Sequence, residues 1–535
     1  MFGDPLFYPY ASRRTVTYAA RGMVATSQPL AAQAGLHILR KGGNAVDAAV
    51  ATAACLTVVE PTCNGLGGDA FAQVWTQGKL YGLNASGPSP ALLSLHELHR
   101  RGLAAMPQDG PLPVTVPGIP AAWAALNKRF GRLPLQEVLR PAIEYAEQGF
   151  AVAATTAELW QAAYAHYAAC GNPAVRHWFA AFAPEDRAPR PGELWRFPQQ
   201  ARTLAAIADS GAEEFYRGPL AVAIDRLMRE EGGCLRGEDL AAYSPQWVEP
   251  LSVEYRGHTV WELPPNGHGL VALMALNILK HFDLTERDDP RTLHRLLEGV
   301  KLAFADGLAH IAAPEAMRIS VEELLDADYG AAQAARIGTT ALDPTPGKPH
   351  AGGTVYLAAA DGEGGMVSYI QSNYTGFGSG MVVPETGIAL HNRGLCFSVK
   401  EGHPNCVAPG KKPYHTIIPG FLTKGGEAVG PFGMMGGFIQ PQGHVMLAHR
   451  LLDNGLNPQA ALDAPRFRWV QGRVVEVEAG FPAYVAEALR RRGHDVRYGA
   501  VGDRDFGRGQ IITRTVQGTL MGGTECRTDG HVAAW

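Results

Sequence analysis

The chain has 535 residues, with 47 basic against 51 acidic side chains and a formal net charge of −4. Charged residues make up 18% and hydrophobic ones 46%, the balance of a globular protein and not of a disordered one. Dispersed, near-neutral charge argues against nucleic acid or an anionic membrane as the main partner, and the length suits about three domains or one large layered domain.

Residues 1–15 lack the basic segment followed by an apolar run that a signal peptide requires. The longest weakly polar stretch, 48–59, is too short to span a bilayer. Further on, Ser27 precedes Pro29 and an apolar-periodic run to Lys41, with Gly42-Gly43 beyond it. That order predicts a helix with an N-cap, an early proline and a C-terminal glycine. Asn44-Ala-Val-Asp47 opens a second, alanine-rich helix that Glu60-Pro61 ends, and the glycine-rich loop Asn64-Gly-Leu-Gly-Gly-Asp69 follows. Residues 118–330 read as a mainly helical region, with helices at 121–130, 135–148, 152–168, 202–208, 270–280 and 292–308. Pro264-Pro265-Asn266-Gly267 interrupts it as a turn. From Asp343 to Gly353 the composition is that of a linker. Two β-prone segments, 354–360 and 366–372, then flank Asp361-Gly-Glu-Gly-Gly365, which predicts a hairpin with a five-residue loop. Helices followed by sheet suggest a layered α/β domain. The seven cysteines are widely spaced with no C-x-x-C pair, a pattern that suits reduced thiols in a cytoplasm.

Several motifs fail on spacing. His96-Glu-Leu-His99 puts its second histidine at i+3 where a zincin needs i+4, so it reads as a solvated helix face and no metal is expected. There is no phosphate-binding G-x-x-x-x-G-K-[ST] loop, and Gly376-Phe-Gly-Ser-Gly380 is neither a dinucleotide fingerprint nor a nucleophile elbow. That segment reads as a tight turn.

Thr354 stands at the first position of a strand, directly after Gly352-Gly353. Its hydroxyl could attack the carbonyl before it, and hydrolysis of the ester would free a new N-terminal threonine. A free α-amine titrates near 7.7–8.0 and could then act as base for its own hydroxyl. Glycine before the bond would supply strained backbone angles that other residues resist. If the hairpin is symmetric about Glu363, Ser372 lies across from Thr354, within reach for a hydroxyl–hydroxyl bond. Gly522-Gly523-Thr524 repeats the tripeptide and so serves as a control, since a cut there would leave a fragment too short to hold half a core.

A longer series of motifs resembles the γ-glutamyltransferase (γ-glutamyltranspeptidase) family. It comprises Gly42-Gly-Asn-Ala-Val-Asp-Ala-Ala-Val50, Glu60-Pro61, Gly65-Leu-Gly-Gly68, Val116-Pro-Gly118 and Gln148-Gly-Phe150. It continues through Thr354, Phe377-Gly-Ser-Gly380, Glu385-Thr-Gly387, Pro419, Gly436-Gly437 and Asp463-Ala-Pro-Arg466. The resemblance implies an N-terminal nucleophile hydrolase with a four-layer αββα sandwich, a mainly helical extension and no cofactor. It also implies self-cleavage at Gly353–Thr354 into a large subunit, 1–353, and a small one, 354–535. Thr354 matches the family's nucleophile, Ser372 falls where a hydroxyl bonds it, and Gly436 and Gly437 match the oxyanion-hole pair.

The match departs where the family holds a γ-glutamyl head. The carboxylate-binding arginine aligns near Asn84, the amine-binding aspartate with Cys396, and its neighbour with Arg393. Tyr374 and His415-Thr416 replace the remaining polar ligands, which leaves Arg393, Tyr374, His415 and Thr416 as the substrate-binding candidates. The stretch 397–413 is shorter than the family's lid loop, so an open pocket is expected. The resemblance thus implies an amidase or acyltransferase that releases an acyl-threonine to water or to an amine, on a small-molecule amide of γ-glutamyl or glutathione type. A glutaryl or cephalosporin-type acylase is the close alternative, and an uncleaved, non-catalytic binding protein is the distant one.

Overall fold

The structure is a computed structural model and describes residues 14–344 and 353–535. Most of the N-terminal segment read for a signal and most of the linker before Gly353 lie outside these residues. Two seven-stranded sheets organise the chain. The first runs His531–Ala534, Gly22–Thr26, Gly353–Asp361, Met366–Tyr374, Asp69–Thr76, Lys79–Ala85 and Gln246–Val248. The second runs Thr17–Ala19, Leu520–Thr524, Arg508–Arg514, Glu427–Met435, Gly420–Lys424, His258–Glu262 and Leu251–Tyr255.

Alternation along one strand shows how the layers stack. In Gly353–Asp361, Tyr356, Ala358 and Ala360 point into a core shared with Phe421, Met435 and Ile512 of the other sheet. Val355, Leu357 and Ala359 point the other way, onto helices carrying Val50, Trp123 and Leu139. Successive side chains of a pleated strand take opposite faces, and here both faces are covered, so the strand is apolar throughout. The second sheet is covered in turn by helices carrying Leu273, Phe304, Leu447 and Val485. The result is the expected four-layer αββα sandwich.

Local chemistry fixes the helices that support the first sheet. Asn44 and Asp47 form a reciprocal capping box on Ala45–Val59, and Asp361 Oδ2 accepts the Ala45 N–H at 3.0 Å, tying the hairpin turn to that helix. The cap of Pro29–Arg40 is Gln28 and not Ser27: Gln28 Oε1 accepts from Leu30 and Ala31, while Ser27 Oγ donates to Glu60. The longer side chain reaches the helix end because the serine hydroxyl has a buried carboxylate beside it. The region expected to be helical over 118–330 is broken by a two-residue pairing, Phe150–Ala151 with Leu194–Trp195, and by three strands of the main sheets, Gln246–Val248, Leu251–Tyr255 and His258–Glu262. Their signal is a period of two, with Val253 and Tyr255 buried and Ser252 and Glu254 exposed. Among the described residues no helix is long and apolar enough to cross a membrane.

Candidate active site

The hairpin Gly353–Asp361/Met366–Tyr374 pairs about Glu363, with Val355 facing Gln371 and Ala360 facing Met366. One step further the ladder shifts, so that Gly353 faces Tyr374. Thr354 sits at this irregularity. Its Oγ1 donates to Ser372 Oγ at 3.2 Å, and Ser372 Oγ donates onward to the Gly353 carbonyl at 2.6 Å. Ser372 Oγ also accepts the Tyr374 N–H at 2.7 Å. One buried hydroxyl therefore touches both the Thr354 hydroxyl and the carbonyl that precedes it. Tyr374, which faces Gly353, has a positive φ of 74°. Glycine at 353 supplies room, since a Cβ there would lie 2.9 Å from the Gly376 nitrogen. The control tripeptide behaves otherwise: Gly522 and Gly523 are paired with Ile512 and Ile511 inside a sheet.

Strand Glu427–Met435 delivers Gly436 and Gly437 to the start of helix Ile439–Ala448. Their φ values of 135° and 68° suit glycine, and a Cβ on Gly436 would meet Ile439 Cγ2 at 2.6 Å. A chain of contacts joins this turn to the junction. Met435 pairs with Arg508, whose Nη2 reaches Cys63 Sγ at 3.7 Å. Cys63 in turn borders Gly353 and accepts the Asn373 N–H. The glycine pair and Thr354 thus share one edge of the sandwich.

Asp69 organises the adjoining wall. It opens strand Asp69–Thr76 and pairs with Ser372. Its Oδ2 accepts from Arg393 Nε at 2.8 Å and from His415 Nε2 at 2.9 Å. His391 Nδ1 lies 3.0 Å from the same oxygen, but its angle makes this a polar contact and not a hydrogen bond. Burial alone would raise the Asp69 pKa, yet the two histidines outweigh it and hold the carboxyl well below its usual range. Burial and then Arg393 push His415 down to about 3, so it is neutral, donating from Nε2 and accepting the Ile417 N–H at Nδ1. Arg393 Nη1 donates to Thr416 Oγ1 at 2.8 Å, and its guanidinium lies 4.6 Å from the centre of the Tyr374 ring. Three atoms of this group, Asp69 Oδ1, His391 Nδ1 and Arg393 Nη2, are buried without a hydrogen-bond partner. The structure therefore gathers Arg393, Tyr374, His415 and Thr416 around Asp69, whose strand partner Ser372 bonds Thr354. In the uncleaved chain Thr354 is 1% exposed and Arg393 0%. The short stretch 397–413 folds back on itself, with Lys411 Nζ bonded to carbonyls of Pro404 and Cys406.

One group among the described residues, His294, Glu298 and His494, has metal-like geometry. Lys301 Nζ already occupies it, 2.8 Å from Glu298 Oε1 and 3.2 Å from His494 Nδ1, which disfavours a second cation. His96 and His99 are exposed on helix Leu95–Arg100, away from any such cluster.

A sequence model of the family described as gamma-glutamyltranspeptidase matches residues 31–535. This chain belongs to the gamma-glutamyltranspeptidase family. Its relatives in that family include the glutathione hydrolase-like YwrD proenzyme of Bacillus subtilis (strain 168), 38% identical over 95% of this chain and 97% of the relative. The oxamate amidohydrolase proenzyme of Klebsiella pneumoniae is 36% identical over 97% and 99%. Among solved structures, a cephalosporin acylase from Bacillus halodurans superposes with a TM-score of 0.97 at 56% identity, covering 100% of this chain and 99% of that one. The sandwich is that of the N-terminal nucleophile hydrolases.

Where the gamma-glutamyltranspeptidase pattern is altered, the replacements take up structural work. Asn84 donates to Asn266 Oδ1 at 2.9 Å and accepts from the Ser86 backbone and hydroxyl, so both of its polar atoms are engaged within the protein. Cys396 Sγ lies 3.8 Å from Arg393 Nη1, and burial raises its pKa despite that guanidinium. Asp69 and His391 were missed by sequence reasoning. The available signal was an ionisable residue at the end of the glycine loop, immediately before the apolar run Ala70-Phe-Ala-Gln-Val-Trp75.

Proposed function

We propose that the protein is a self-processing amide hydrolase that works through an acyl-threonine intermediate. The observation that carries this reading is the placement of Ser372 Oγ between the Thr354 hydroxyl and the Gly353 carbonyl. In maturation, Thr354 Oγ1 bonds to the Gly353 carbonyl carbon, and the bond from that carbon to the Thr354 nitrogen breaks. The hydroxyl proton ends on the freed amine. Ser372 supports both partners, accepting from the nucleophile and donating to the oxygen on which charge develops. Water then hydrolyses the ester, leaving a large subunit ending at Gly353 and a small one beginning at Thr354.

In turnover the freed amine acts as base for the Thr354 hydroxyl, which attacks the substrate amide and expels its amine. The N–H groups of Gly436 and Gly437, at the start of a helix on the same edge, supply the oxyanion donors. Water or an amine acceptor then takes the acyl group. Arg393, Tyr374, His415 and Thr416 form the acyl-donor pocket, with Arg393 Nη2 offered to a carboxylate on the acyl chain. That free donor, together with a thiol at Cys396, favours a distal carboxylate over an α-ammonium, and so favours glutaryl-type over γ-glutamyl donors. The unpaired state of all seven cysteines supports a reducing, cytoplasmic setting.

The test is a panel of acyl p-nitroanilides assayed on the wild type and on Thr354→Ala. Hydrolysis by the wild type and none by the variant is expected. Equal hydrolysis by both would remove Thr354 from the chemistry.

A further inference from the structure

We infer that Asp69 is the positioning residue of the acyl-donor pocket: it fixes Arg393 so that the one unengaged nitrogen, Nη2, meets the carboxylate of the acyl chain. The inference rests on the reading of Arg393 given above and adds what makes that reading selective. Three facts lead to it. Asp69 Oδ2 takes Arg393 through Nε alone, at 2.8 Å. A carboxylate facing an arginine commonly takes two nitrogens in parallel, and had Asp69 done so, Nη2 would be consumed. Thr416 removes Nη1 at 2.8 Å, and Nη2 alone is left, buried and without an acceptor. Buried donors in native proteins are nearly always paired, so an unpaired one on the arginine held by Asp69, the strand partner of Ser372, marks a place for a ligand acceptor.

Asp69 is itself rigid. It is the first residue of its strand, paired with Ser372, and its Oδ2 also carries His415 Nε2 at 2.9 Å. Nothing else anchors Arg393 by charge among the described residues: Thr416 and Cys396 are neutral contacts and Tyr374 supplies a ring face. Because Asp69 cancels most of the Arg393 charge, the pocket selects by direction and not by net potential. Without that carboxylate, a buried guanidinium lacking a counter-charge is expected to leave its position, and the aimed donor is lost with it.

The experiment measures kcat and KM for glutaryl and butyryl p-nitroanilides on the matured wild type, Arg393→Ala, Asp69→Asn and Arg393→Lys. One charged hydrogen bond gives the wild type a glutaryl preference of about ten- to hundredfold. In Asp69→Asn the glutaryl-to-butyryl ratio in kcat/KM is expected to fall to within about threefold of unity, the change carried by the KM for glutaryl. Should Asp69→Asn fail to mature, Arg393→Lys decides: lysine can still pair with Asp69 but has no second nitrogen to offer, so the preference is lost. Loss of preference in Arg393→Ala with preference kept or enlarged in Asp69→Asn overturns the positioning role alone. Preference kept in a matured Arg393→Lys overturns the assignment to Nη2. An equal ratio in wild type and Arg393→Ala would instead overturn the underlying reading of Arg393.

Discussion

Replacing Ser372 by alanine removes three hydrogen bonds at once, and the structure says which step should suffer more. The hydroxyl donates to the Gly353 carbonyl at 2.6 Å, accepts from Thr354 Oγ1 at 3.2 Å and accepts from the Tyr374 N–H at 2.7 Å. During maturation all three matter, and the bond to Gly353 strengthens as its oxygen gains charge. Loss of such a donor typically slows a reaction by about 10²–10³. During turnover the Gly353 carbonyl has left the junction, and only the bond to the Thr354 hydroxyl remains relevant. One neutral hydrogen bond is worth about 0.5–1.5 kcal/mol, or roughly two- to tenfold in rate. The assay follows the precursor band by denaturing electrophoresis, then measures anilide hydrolysis on whatever has matured. Ser372→Ala should therefore slow processing about a hundredfold and turnover about tenfold or less, while Ser372→Thr keeps both. Processing at the wild-type rate, or a larger fall in turnover than in processing, would refute the bridging role.

Thr354→Ala should remain a single inactive chain, whereas the wild type should split its 57.2 kDa into roughly 38 and 19 kDa, with the smaller piece starting Thr-Val-Tyr; cleavage in the variant, or another terminus, counts against the junction. Gly436→Ala should lower kcat by about a hundredfold and also depress Tm, because alanine resists φ 135° and its Cβ would meet Ile439 at 2.6 Å; wild-type kcat in a folded variant would exclude an oxyanion role. Stability should fall with acid through the cluster that joins His294 and Lys301 to His494. Burial lowers His294 to about 4 and His494 to about 2, so the unfolded chain takes up protons below about pH 6.5 that the folded chain refuses. The contribution is full above about pH 6.5 and His294 loses it as pH falls towards 4, roughly 3 kcal/mol at about 1.4 per unit. His294→Gln should reduce the slope of Tm against pH in that window, and an unchanged slope would place the acid sensitivity elsewhere.

The hairpin was legible because two independent local signals agree on it. A glycine-rich turn centres the register on Glu363, and strict β-prone runs flank it, so Thr354 and Ser372 could be opposed before any coordinates. Helix Leu135–Gln148 was legible for the same reason, with its apolar stripe starting after Pro134 and stopping at Gly149. Strands Gln246–Val248, Leu251–Tyr255 and His258–Glu262 were hidden by their shortness and by the helices on either side. Asp69 was hidden for a different reason. Its partners Arg393 and His415 lie more than three hundred residues along the chain, and only the pairing of its strand with Met366–Tyr374 brings them together. The way the short stretch 397–413 folds on itself was hidden likewise, because Lys411 bonds to carbonyls of Pro404 and Cys406, which leave no mark in sequence.

The central claim, that Thr354 becomes a terminal nucleophile carrying the acyl group, is tested most directly by intact-mass analysis of the enzyme quenched during turnover of a slow acyl donor. The account predicts a small subunit beginning at Thr354 whose mass rises by one acyl group, with the adduct mapped to the Thr-Val-Tyr peptide and absent from the large subunit. An uncleaved chain that still turns over substrate, or an acyl adduct on any residue other than Thr354, would contradict it.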